Sequence, residues 1–110
     1  MVTEASARLG EARRELHQHI GDFTLFWAGV YPEALRGDDS RQFSDYCVHG
    51  KRSYRIAARI EPAKEDAPDG EVLARLSDRF EMCCWGLREV RRMWEEGDDN
   101  TFGPSSILLN

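Results

Sequence analysis

The sequence predicts an all-α fold: one helical bundle of three long helices and one short one. Three observations carry this. Apolar residues recur at spacings of three and four, the period that stacks side chains on one face of a helix. The intervening breaks are acidic or contain Pro or Gly, the residues that end helices. A chain of 110 residues with 41% hydrophobic and 32% charged residues has the composition of a single globular domain with a heavily charged surface. A domain of this size holds one core and no deep, enclosed active site.

The first helix starts near Thr3. Leu9, Ala12, Leu16 and Ile20 form a stripe that runs on through Phe23, Trp27 and Val30. Beyond Ile20 apolar residues occur on every side, and a helix apolar all round is buried all round. Residues 23–30 are therefore expected in the middle of the fold. Gly21 permits a kink, and Asp22 can cap a fresh turn. Pro32 suits the first turn of a short helix, 32–36. The loop GDDS at 37–40 follows, with Asp39 or Ser40 as a cap for the next helix.

The second long helix is expected over 41–60. Phe43, Cys47, Gly50, Tyr54 and Ala57 form its stripe, widened by Tyr46 and Ala58, and Glu61-Pro62 stops it. Gly50 costs about 1 kcal/mol of propensity there, which a close helix crossing would explain. The polar loop 61–70 leads to the longest expected helix, 69–96. Its seam is Leu73, Leu76, Phe80, Cys83, Leu87, Val90 and Trp94, with Asp69 as its cap and Gly97 as its end. The bundle domain is read as 1–97, with a tail at 98–110 whose apolar end is Ile107, Leu108 and Leu109. The first and last long helices are expected to run antiparallel, with helix 41–60 packed across 23–30.

Charge and length exclude several functions. The net charge of −5 opposes nucleic acid and anionic lipid on average. The longest mainly apolar uncharged run, 23–32, is too short to cross a bilayer. The N-terminus lacks the basic and apolar regions of a secretory signal. The three cysteines, Cys47, Cys83 and Cys84, have no framework spacing, so reduced thiols and a cytoplasmic location are expected.

Candidate chemistry is sparse. His19 and Asp22, three apart, could meet Asp45 and His49, four apart on the second helix, around a metal or a small polar pocket with Tyr46. His17 points about 200° away from His19 and cannot share that metal. The bland reading is surface histidines and a capping aspartate, and it is favoured. The cysteines lie on apolar stripes and read as small hydrophobes. Lys51, Arg52, Arg55 and Arg59 form a basic strip, read as a solvated face paired with the acidic loop 61–71. Asp22 and Glu33 flank the most apolar segment and need partners, with Lys51, Arg52, Tyr46 and Tyr54 available. No cofactor and no catalytic residue is expected.

The segments HQHIGDFTLFWAGVYPEAL (17–35), DYCVHGKRSYRIA (45–57) and LSDRFEMCCWGLREVRRMWE (76–95) resemble a group of uncharacterised bacterial proteins. These share the pattern HxGDFxLFWxGxYPExL, then DYxxxGKxSYxxA, then a long charged helix. The resemblance implies an all-helical protein and supplies no activity or ligand. An additional N-terminal segment is common in that group, which implies a short member or a fragment.

One feature pushes beyond its structural explanation. Phe23, Phe26, Trp27 and Tyr31, with Trp85 and Trp94, offer more apolar surface than a thin domain can cover. A non-catalytic interaction module is expected, most simply a dimer or other homo-oligomer, with Phe23, Phe26, Trp27, Tyr31 and Trp94 facing the partner.

Overall fold

A computed structural model describes residues 4–36 and 41–102; among them there are five helices and no strand. Helix α1 spans Glu4–Val30, α2 Pro32–Arg36, α3 Arg41–Ala58, α4 Gly70–Asp78 and α5 Phe80–Phe102. No described helix is long and apolar enough to cross a membrane. The caps expected at Asp39 and Ser40 and the apolar tail at 107–109 lie outside the described residues.

The C-terminal helix expected in one piece is two. Arg79 leaves helical geometry, with φ −114° and ψ 29°. The bonds from Arg79 N–H to the Arg75 carbonyl and from Cys83 N–H to the Arg79 carbonyl are both 2.9 Å and still span four residues. The break is therefore a bend within a nearly continuous ladder. Beside it Ser77 Oγ donates to the Lys51 carbonyl at 2.8 Å, and Phe80 is wholly buried. Asp69 stands at the N-cap position but makes no side-chain cap bond. Gly97 does not end α5, which continues to Phe102. Asp22 does not cap a new turn, because α1 is continuous through it.

Close approaches fix the directions of the helices. Gly10 faces Ile60, Gly21 faces Tyr54, and Gly50 faces Thr24 and Phe80, so α3 runs antiparallel to α1. Farther along, Gly29 meets Cys84 and Leu87, and Arg91 reaches the Val30 carbonyl. Residue numbers rise together on α1 and α5, so the first and last long helices are parallel, not antiparallel. The reason is connectivity: each of the two links between long helices reverses the chain, and two reversals restore the direction. Helix α3 also packs along much of α1 rather than only across 23–30. The expected crossing at Gly50 is present: a Cβ there would stand 2.5 Å from the Phe80 ring.

The core is Ala28, Leu35, Cys47, Tyr54, Ala57, Leu73, Phe80 and Cys84. Tyr54 and Phe80 meet with ring centroids 6.2 Å apart. Burying side chains such as Leu73 and Phe80 stabilises the fold by roughly 1.5–3 kcal/mol each. On α4 and α5 the buried side is Leu73, Ser77, Phe80 and Cys84. Val90 and Trp94 of the expected seam are exposed.

Helix α1 departs most from expectation. Its packed side is Gly10, Arg14, His17, Gly21, Thr24 and Ala28, mostly small or polar residues. Arg14 is 2% exposed and donates 2.7 Å hydrogen bonds to the carbonyls of Ile60 and Pro68, which fastens the α3–α4 loop. The apolar stripe through Leu9, Leu16 and Phe23 faces out, as does Phe26. Leu9 is 72% exposed, Leu16 and Phe23 57%, and Phe26 47%. Segment 23–30 is thus buried at Thr24, Ala28 and Gly29, half-buried at Leu25 and Trp27, and open at Phe23 and Phe26. The molecule measures 65 × 35 × 19 Å. Its least dimension equals about two helix diameters, so a helix apolar on both sides cannot be covered on both.

Candidate functional site

The outward face of α1 has an ordered pattern. Leu9, Ala12, Leu16, His19, Phe23 and Phe26 follow at spacings of 3, 4, 3, 4 and 3, and all six are exposed. This is the a/d register of a two-helix seam, on the side of α1 turned away from α3. Near its C-terminal end the aromatic side chains gather. Phe26 and Trp27 lie edge to face at 5.7 Å and 89°; Phe26 and Tyr31 are 5.8 Å apart, and Trp27 and Tyr31 5.5 Å. Phe23 joins at 6.4 Å from Trp27. These are favourable quadrupolar distances, so the cluster is stiff while remaining partly exposed.

Arg91 of α5 anchors this end of α1. Its guanidinium lies 4.8 Å above the Tyr31 ring, donates to the Val30 carbonyl at 2.7 Å, and pairs with Glu33 and Glu95. It thereby satisfies a carbonyl at the α1 C-terminus, where cations are favoured. The backbone N–H of Glu33, then Arg91, hold the Glu33 carboxyl below its ordinary range. Sequence reading missed Arg91, because nothing local marks a residue that acts 58 positions away. Met82, Val90, Met93 and Trp94 of α5 are also exposed. Gly86 is on that helix, and a Cβ there would meet nothing within 4 Å.

The polar residues singled out from sequence go to different places. Among the described residues no three His, Cys, Asp or Glu side chains are arranged to hold a metal. Asp22 accepts a 2.6 Å hydrogen bond from the Tyr54 hydroxyl. Burial, then the bond to Asp22 and its charge, raise the Tyr54 pKa, so the phenol stays protonated as a donor. His19 lines a groove of about 330 Å³ with Glu11, Glu15 and Lys64. His49 lines another groove, with His17 and Ser53. Asp45 is exposed, and half-buried Tyr46 packs against the core.

The cysteines are free, with Cys47 and Cys84 buried. Burial first, then the neighbouring thiol and its partial charge, push Cys84 up to about 12, and burial likewise raises Cys47. Buried thiols of this kind pack as small hydrophobes. The basic strip finds its carboxylates on α4 and α5 rather than in the acidic loop: Lys51 pairs with Glu81 at 3.1 Å and Arg55 with Asp78 at 3.5 Å. Lys64 of that loop turns instead to Glu11 and Glu15 of α1.

The chain matches no protein-family model, no curated protein and no solved structure.

Proposed function

We propose that this protein is a non-catalytic helical module that associates with a second copy of itself through the outward face of α1, extended by α5. One observation carries this: α1 packs on its own fold with glycine and polar residues and turns its apolar a/d register to solvent. The exposed side chains Leu9, Leu16, Phe23 and Phe26 of α1, with Met82, Val90, Met93 and Trp94 of α5, leave large apolar groups open to solvent on two helices, and such surface marks a partner site. A second copy brings the same spacing, and symmetric pairing buries both faces at once. The free thiols support a cytoplasmic setting.

Sedimentation velocity over a concentration series tests the reading. The chain is expected to sediment as a dimer at high micromolar concentration. Leu16→Glu and Phe23→Glu are expected to give monomers with native far-UV circular dichroism, because neither side chain belongs to the protomer core. A wild-type chain that stays monomeric throughout overturns the proposal.

A further inference from the structure

We propose that the groove between α1 and α3 lined by His17, His49, Arg52 and Ser53 binds the oxyanion of a small molecule, a phosphate or carboxylate group. The groove has a volume of about 240 Å³. Pockets for drug-sized ligands start at about 300 Å³, so it suits an anionic head with a short stem. Its walls supply donors: the guanidinium of Arg52, the rings of His17 and His49, and the Ser53 hydroxyl. Ile20 and Ile56 supply an apolar floor for carbon atoms. No carboxylate lines it, in a chain with 20 acidic residues and a net charge of −5.

Three further observations converge on an anion. Lys51 and Arg55 are held by Glu81 and Asp78, whereas Arg52 between them has no ion pair among the described residues. Its planar fork matches a carboxylate or phosphate edge with two parallel hydrogen bonds. Arg13 and Arg52 both place positive potential on His17, a field that repels metal cations and attracts oxyanions. Ser53 is buried, and its Oγ lies 3.4 Å from His17 Nδ1, a long contact that leaves the hydroxyl able to turn toward a ligand. The groove also lies on the α1–α3 side, apart from the a/d register, so it does not depend on self-association.

The test is a titration of the whole chain near neutral pH with sodium phosphate and, separately, sodium acetate. Ionic strength is held constant with sodium chloride, and the ring Cε1–H signals of the three histidines are followed by NMR. Phosphate or acetate is expected to shift His17 and His49 saturably and to leave His19, in its acidic groove, unmoved. The anion that saturates identifies the ligand class. Arg52→Ala is expected to weaken binding about tenfold, as for loss of a charged hydrogen bond. Arg59→Ala, one residue past the end of α3 and outside the groove, is expected to bind as wild type. Shifts that grow without saturation for both anions, or an Arg52→Ala chain that binds as tightly as wild type, overturn the proposal.

Discussion

Gly50 and Gly86 are both helical glycines in apolar surroundings, and their spatial settings are opposite. A Cβ at Gly50 would collide with Thr24 and the Phe80 ring; one at Gly86 would meet nothing. Gly50→Ala is therefore expected to destabilise the protomer by about 1–3 kcal/mol through overpacking. Gly86→Ala is expected to stabilise it by up to about 1 kcal/mol through helix propensity. Urea unfolding of the two variants checks both signs. His17 gives a second residue-level prediction. Burial, then the charges of Arg13 on α1 and Arg52 on α3, lower its pKa below 6.5. The folded state thus binds fewer protons than the unfolded chain in that window. Its contribution to stability is complete above pH 6.5 and is lost as pH falls through the folded value. Melting temperature should decline as pH falls below 6.5, and more gently in His17→Asn.

At the scale of elements, Arg14 links α1 to the α3–α4 connection. Its side chain holds two carbonyls of that connection, those of Ile60 and Pro68. Arg14→Met keeps the apolar stem but removes both donors. It is expected to cost about 2–3 kcal/mol and to speed amide exchange selectively across 61–69. Uniformly faster exchange over the whole chain would contradict this local role. The helices themselves were legible in the sequence because periodicity reports which residues share a face. It does not report what that face meets. The stripe of Leu9, Leu16 and Phe23 is one ridge, as its spacing implies, and it faces solvent. The helix instead docks through Gly10, Gly21 and Thr24, whose smallness allows a close backbone approach that no hydrophobicity pattern displays. The bend at Arg79 was invisible for a related reason: no Pro or Gly marks it, and a tertiary contact accompanies it.

Across the whole molecule, three rods lie in a body 19 Å thin, with parallel outer rods and α3 antiparallel to both. The aromatic surplus at Phe23, Phe26, Tyr31 and Trp94 could be read from sequence because such a body has too little interior to take it. The groove between His17 and Ser53 could not, since those residues are 36 positions apart and meet only when α3 folds back on α1. The two proposed surfaces make separable demands. Leu16→Glu and Phe23→Glu should change mass in solution without altering the anion response, and Arg52→Ala should do the reverse.

The outward ridge of α1 also makes abundance a physical variable. Copies that rarely meet leave Leu9, Leu16, Phe23 and Phe26 wet, and an adhesive strip of that kind clings to whatever greasy surface arrives first. On the proposed pairing, dilution uncovers this strip, so low abundance is the condition that leaves it open to non-specific contacts.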